Sequence, residues 1–549
     1  MKEQNPTANY KIILLWFIPL LYLITGVYFR QLLGNLSLRN MDPDFVYYIS
    51  GLTISDGMLK VGHIDHPGTP LQLLLAGIFR LIFLFRGNKE SFIEDVFMYP
   101  NLYISISSTV IIALTAGMLF YAGRFVYRQT RSVSYSLLIQ TIPFLPVIWY
   151  DLIARITTEI LMPFPITFIT LLAIQVLYEK EPASPKKVWL FAVVCAAGLS
   201  LKITLFPLLI IPLFLIDTWK KRILFTGLSI AGFFLFALPV TLQIERFWGW
   251  IKNLFLHSGR YGGGESKVID WAAMQSNFRQ LFHLEKPFFF IFSFLVIILV
   301  IYVAVLRKRT DRRLVSLSAG VTATVFILTA MVGKHYAHHY FIPGLMLTPI
   351  AIFLITQLIR KMIPPRMGGI LTSILILSYL VWFANYNHKW LSVKTEAIET
   401  DVKNRSQTWH FVSNLDRNNS YKIIASQDYG SPFIEYTMTY SLIWAPYEKR
   451  QEWAPVLDKL YPYTYNYFSW DNSLRYWVKP FDAGEIINSG RNVYLYLERD
   501  DESLFEKTLT KLKEESVTPF SFESELLYKN PNNSDVLYLV HFSKAGEND

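Results

Sequence analysis

The chain has 549 residues, is 52% hydrophobic and 16% aromatic, and has a mean hydropathy of +0.30. Only 17% of its residues are charged, against roughly 25% in soluble domains, and apolar runs of about 20 residues recur, which excludes an ordinary soluble protein and points to a polytopic helical membrane protein. The net charge of +10 comes without any arginine-rich tract interleaved with aromatics, which argues against nucleic acid, and the lone Cys195 excludes an internal disulfide and a cysteine metal site.

In chain order, apolar runs fall at about 12–29, 68–85, 100–123, 133–150, 160–178, 188–219, 223–244, 288–306, 314–333, 340–359 and 369–386, predicting about 10–12 transmembrane helices. The first run lacks a small-residue cleavage site and reads as a retained helix. Basic loops at Arg124–Arg131, Lys180–Lys187, Lys220–Arg222, Arg307–Arg313 and Arg360–Arg366 belong in the cytoplasm. That places the 245–287 loop, the 334–339 loop and everything after residue 387 outside. It also requires 188–219 to leave and return with a turn near Lys202. The same alternation makes 68–85 a re-entrant or interfacial helix interrupted by Arg80 and Arg86, the alternative being that it spans and that the Arg124 loop breaks the charge rule.

Two domains follow: a membrane domain over 1–386, with external loops at 31–67 and 245–287, and an extracytoplasmic soluble α/β domain over 387–549. In the second, 421–426, 493–497 and 536–542 have the composition of strands, and Glu502–Glu515 has the pattern of a charged amphipathic helix.

Polar residues that could carry chemistry gather in five stretches, the first of them 40–72 and the third inside an apolar run. Asp42-Pro43-Asp44 predicts a helix start, with Asp42 as cap and Pro43 in the first turn. Phe45, Tyr48, Ile49 and Leu52 then form the apolar stripe of a helix lying on the membrane. His63, Asp65 and His66 follow, in a turn rich in Pro and Gly. Asp151, Arg155 and Glu159 are four apart and would share one helix face, either as a salt-bridge ladder or as a site. Lys202 interrupts 32 mainly apolar residues and must reach water or an anion. The loop from His257 to Glu265 offers Arg260 beside three glycines, either as a mobile loop or as an anion contact. Finally, Lys334, His335, His338 and His339 form a basic cluster between two apolar runs. His335 and His339 have metal-ligand spacing but no local acidic partner, so phosphate is the better-favoured ligand.

Asp42-Pro43-Asp44 just after the first apolar run, with the turn His66-Pro67-Gly68-Thr69-Pro70-Leu71-Gln72 behind it, resembles the C-type (GT-C) glycosyltransferase superfamily, which includes the protein O-mannosyltransferases and the aminoarabinose transferase of lipid A. The turn departs from the usual His-Pro-Pro-Leu by an inserted Gly-Thr, and Gln72 stands where O-mannosyltransferases carry a basic residue. Thr158-Glu159 resembles the second acidic motif, with Glu for the commoner Asp. The stretch around Lys202 is similar to a Leu-Thr-Lys stretch, and Lys334 to Pro343 is similar to the Lys-x-x-x-Arg-Tyr-Leu-Pro stretch that binds lipid-linked phosphate.

The resemblance implies a GT-C-like fold and an inverting transfer of a hexosyl or pentosyl group from a polyprenyl-phosphate sugar, on the outer face of a bacterial cytoplasmic membrane, to a lipid, glycan or protein acceptor. Asp44 or Asp42 would be the general base. Glu159 would position the acceptor or, with the aspartates, hold a divalent ion. Lys334, His338, His339 and Arg155, with Lys202, Arg260, His66 and Asp65, would bind substrate. The cofactor stays open between a divalent cation such as Mg or Mn and none, because superfamily members differ on this point. The alternatives are a transporter or flippase of lipid-linked sugars, and a non-catalytic envelope-assembly protein in which the acidic pair is dispensable.

Overall fold

The computed structural model describes residues 11–41, 43–87, 90–179, 183–259 and 262–545. Among them, eight helices are long and apolar enough to cross a membrane: Lys11–Leu33, Thr69–Arg86, Pro100–Thr130, Thr158–Tyr178, Lys286–Leu306, Arg312–Lys334, His338–Met362 and Pro365–Ser413. The other apolar runs differ for local reasons. The 133–150 run is helical only to Gln140, after which Pro143 and Pro146 break it. In 188–219 the helix Pro185–Leu201 stops at Lys202, which is extended (φ −157°, ψ 133°), and continues as a 3₁₀ segment, Ile203–Leu209, with Pro207 inside. Trp219–Phe236 opens with Lys220, Lys221 and Arg222. Thr69–Arg86 is one unbroken 18-residue helix, so Arg80 and Arg86 do not interrupt it; the Arg80 guanidinium instead donates to the Ser55 carbonyl (2.7 Å from Nε).

The chain divides into two compact units. The first, the membrane unit, comprises Met1–Phe29, Ile64–Leu71 and Thr109–Lys394. The second, the sheet unit, comprises Arg30–His63, Gln72–Ser108 and Thr395–Asp549. The division follows the fold rather than composition: Pro365–Ser413 is a single 49-residue helix that runs through the change of character at residue 387.

Two of the irregular backbone stretches in the membrane unit run from Thr141 to Met162 and from Lys202 to Leu209. Residues 152–163 are all buried. Non-helical backbone among membrane helices persists only where protein covers it or a polar cavity hydrates it, so these two stretches are where a site is to be sought.

The sheet unit holds six strands, β1 (Tyr421–Ser426), β2 (Thr464–Phe468), β3 (Ser473–Tyr476), β4 (Val493–Leu497), β5 (Phe520–Lys529) and β6 (Val536–Lys544), in the order β3-β2-β1-β4-β6-β5. β2, β1 and β4 run parallel, while β3, β6 and β5 are antiparallel additions. The expected strands β1, β4 and β6 and the helix Glu502–Glu515 are present. β2, β3 and β5 lack a clean signal. Asn466 sits mid-strand in β2, its amide donating to Thr439 Oγ1 (2.8 Å); β3 has four residues; β5 is mostly exposed and bulged at Leu526/Tyr528.

One side of the sheet packs Ile423, Leu495 and Tyr467, and the other packs Ile424, Tyr496 and Phe468. The second cluster includes Val46, from the helix Asp44–Ser55. Residues Asp44 to Thr53 are all buried, so this helix is an internal layer of the sheet unit and does not lie on a membrane surface. The apolar stripe misleads because the opposite face hides its polarity: Ser50 and Thr53 donate their hydroxyls to the carbonyls of Val46 and Ile49 (2.8 and 2.7 Å). Gly51 supplies the close approach, since a Cβ there would lie 2.8 Å from that of Leu75.

A buried ion triad ties β1 to the helix Ile434–Ile443. Glu435 takes Arg417 at 2.5 Å and Lys422 at 3.4 Å, and Lys422 and Glu435 are nearly inaccessible. Burial opposes the Glu435 charge, but Arg417 and Lys422 outweigh it and hold its carboxyl below the usual range. A depressed acid pKa contributes stability that is present above the usual glutamate range and lost as pH falls through the depressed value. Glu435→Gln leaves the buried Lys422 ammonium without a counter-charge and the half-buried Arg417 without its carboxylate, so a loss of about 3–5 kcal/mol is expected. Hydrogen exchange of the β1 amides in the full chain would report it, and unchanged protection would show the triad to be energetically idle.

Candidate functional site

Four segments of the membrane unit converge on a buried charge cluster. Extended backbone at Thr157 (φ −113°, ψ 161°) and the 3₁₀ turn Thr158–Leu161 carry Glu159, 5% exposed. The helix break carries Lys202, 2% exposed. The Lys202 ammonium donates to Glu159 Oε1, and the Thr158 hydroxyl donates to Oε2 (3.2 Å). The segment His338–Phe341 brings His339 within electrostatic reach of Glu159 and sets the Tyr340 ring 5.4 Å from the Lys202 ammonium. The turn at His66 completes the cluster: its ring lies edge-on to Tyr340 (5.7 Å) and to Trp250 (5.5 Å). Gly68, at φ +64°, permits that turn and donates its N–H to the Leu201 carbonyl (3.0 Å), tying it to the helix break.

Around the cluster, Thr69 Oγ1, Thr157 Oγ1, Thr204 Oγ1 and Trp250 Nε1 are buried with no hydrogen-bond partner among the described residues. Such groups are rare, and each costs about 1–3 kcal/mol. Each of them is within two residues of Glu159, Lys202 or Gly68, or in ring contact with His66. Buried charge, aromatic walls and unspent hydroxyls together describe a place made to receive a polar or anionic group.

Other residues singled out in the sequence fall differently. Asp151, Arg155 and Glu159 do not share a helix face, because Trp149–Leu152 is a single turn and the chain is extended by Thr157. Asp151 instead pairs with Lys394 (2.5 Å), while Arg155, 1% exposed, donates from Nε to the Asp151 carbonyl (3.1 Å). Lys334 donates to the carbonyls of Leu254 (2.9 Å) and Phe255 (2.8 Å) and so caps the helix Ile244–Leu256 at its negative end. Both ring nitrogens of His335 face carbonyls, those of Gly259 and Leu254, so this pair of residues staples the 254–259 loop. His338 meets Glu285 (Nε2 to Oε1, 2.6 Å), and Asp65 is half-buried in its turn. The acids that the histidine cluster lacks locally are therefore supplied by tertiary structure. Among the described residues, no group of three or more His, Cys, Asp or Glu side chains is placed to hold a metal ion.

Asp44 belongs to the sheet unit. It is the first residue of its helix, fully buried, and its N–H donates to the Met41 carbonyl (2.8 Å). Pro43 stands at the N-cap and, among the described residues, no side chain caps the helix, so Asp44 does not act as a cap; Asp42, expected as the cap, and Arg260 lie outside the described residues. Sequence reasoning missed Tyr340, Trp250, Thr204 and Glu285. Only Tyr340, within the basic stretch, carried a signal.

No protein-family model matches the chain, nor does any curated protein sequence. Among solved structures the chain is similar to ArnT from Cupriavidus metallidurans, in a crystal structure with undecaprenyl phosphate bound; the alignment covers 94% of this chain and 97% of that one, at 8% identity and a TM-score of 0.39.

Proposed function

We propose that the chain is an integral-membrane glycosyltransferase that moves a sugar from a polyprenyl-phosphate-linked donor to an acceptor hydroxyl at the outer face of a bacterial cytoplasmic membrane, with the residues after 387 and the 245–287 loop outside. The observation that carries this reading is the buried Lys202–Glu159 pair with His339 beside it, set among unpartnered hydroxyls in a unit of membrane-length helices. An ammonium held by one carboxylate keeps two further N–H donors, which an incoming phosphate can take without the pair breaking.

In the proposed step, Asp44 accepts the proton of the acceptor hydroxyl as the oxygen attacks the anomeric carbon. The sugar–phosphate bond breaks, and the lipid phosphate leaves with both electrons. Lys202, His339 and the buried Arg155 stabilise the charge growing on that phosphate. Glu159 orients Lys202, and Asp42 assists Asp44. His66 and Asp65 shape the mouth of the cluster through their turn, and His338 contacts the acceptor. Lys334 acts by holding the loop that carries Arg260.

A second reading has one observation in its favour. Discontinuous helices at 141–162 and 202–209 are also a feature of carriers, which would here move lipid-linked sugars. The purified protein incubated with a panel of polyprenyl-phosphate sugars separates the two. Release of free polyprenyl phosphate from at least one donor is expected. Movement of intact donor across proteoliposomes, with no release from any, would overturn the transferase reading.

A further inference from the structure

The membrane unit contains a cavity of about 490 Å³, of which the transfer step above uses only His338. One wall is a strip of the helix Pro365–Ser413, where Trp382, Tyr386 and Trp390 follow at four-residue spacing. All three are half-buried, and the rings of Trp382 and Tyr386 stack at 5.0 Å and 29°. The facing wall carries Glu285 and His338, with Gln280 and Tyr336 at the rim. Glu285 is 6% exposed. It stands at the start of the helix Lys286–Leu306, yet its carboxylate makes no capping bond there; it meets His338 Nε2 at 2.6 Å.

Trp and Tyr near a membrane surface are commonly a belt facing the headgroups. A belt does not enclose a chamber with a buried carboxylate opposite. Nor does a pocket for an acyl or prenyl chain need one, since a buried carboxylate and imidazole cost free energy that such a chain cannot return. A flat amphipathic ring fits both walls. Its C–H face lies on an indole, its hydroxyls donate to a carboxylate and accept from an imidazole or amide, and the volume is within the range of small-molecule sites.

We propose that this cavity is a carbohydrate-binding subsite, with Trp382 as the stacking platform and Glu285–His338 as the hydroxyl reader, and that the acceptor is therefore a glycan. The last step rests on the transferase reading; the binding itself does not.

The test uses the full-length protein in a detergent without a sugar headgroup, titrated with maltotriose, cellotriose, chitotriose and methyl mannoside while tryptophan fluorescence is followed. At least one probe should give a saturable change. Trp382→Leu, which keeps apolar volume and removes the flat face, should weaken that binding by about tenfold, the scale of one aromatic contact. Glu285→Gln should weaken it similarly, with the melting temperature of both variants near that of the parent. No saturable response to any probe, unchanged affinity in Trp382→Leu, or displacement of the glycan by a fluorescent fatty acid would overturn the proposal. Donor consumption is scored in parallel. Lipid phosphate released without glycan binding sinks the subsite and leaves the transferase, whereas glycan binding without any donor consumption sinks the transferase and leaves the subsite.

Discussion

Asp44→Asn is expected to give a folded protein whose sugar transfer falls by about 100-fold or more, the usual span for losing a general base. The substitution is nearly isosteric. It leaves the backbone of the helix start untouched, because Asp44 N–H bonds to the Met41 carbonyl and, among the described residues, no side chain caps this helix. The loss of a favourable charge in the first turn should cost under about 1 kcal/mol. Complete burial makes the experiment two-sided. A carboxylate kept there for structure shows itself as a lowered melting temperature, whereas a base shows itself as a lowered kcat at unchanged stability and similar donor KM. Asp42→Asn should be the milder variant, because that residue is proposed only to assist. Near-full activity in both Asn variants would remove the acidic pair from the chemistry and move the search for a base to Asp65.

Lys202→Met is expected to be the most damaging single change in the membrane unit. It strands the Glu159 carboxylate, 5% exposed, without its cation, and breaking one half of a buried pair costs about 3–5 kcal/mol. Replacing both partners is a different experiment. In Glu159→Gln with Lys202→Met the neutral amide can still accept from the Thr158 hydroxyl, and the methionine fills the lysine's apolar volume. Most of the lost stability should therefore return in the double variant, as judged by thermal unfolding of the full chain, while sugar transfer stays abolished. Stability without activity is the signature of a charge pair maintained for a ligand. A stable Lys202→Met single variant would mean that the pair is not formed, and a fully active double variant would mean that the cluster is not the site.

The membrane character, the positions of most helices and three of the six strands were legible in the sequence because each depends on neighbours within one or two turns. Apolar runs, the short β-favouring run Val493–Leu497 and the 3.6-residue pattern of Glu502–Glu515 need no distant partner. That Lys202 and Glu159 are costly charges in need of a partner was also readable, since a charge in an apolar stretch is expensive wherever the chain goes.

What each charge would meet was not readable. Glu159 finds Lys202 across 43 positions, His338 finds Glu285 across 53, and Asp151 finds Lys394 across 243. The spacing of Asp151, Arg155 and Glu159 suggested a local ladder, but the backbone between them is not helical. The stripe on Asp44–Ser55 suggested a surface helix because hydroxyls that bond back to their own helix look, in one dimension, like polarity meant for water. Sequence alone determined that this is a helical membrane protein with an α/β appendage and that a few of its charges are expensive. Only the tertiary structure decided which of those charges neutralise one another, because the pairing of buried ions is set by which helix ends pack together and not by their separation along the chain.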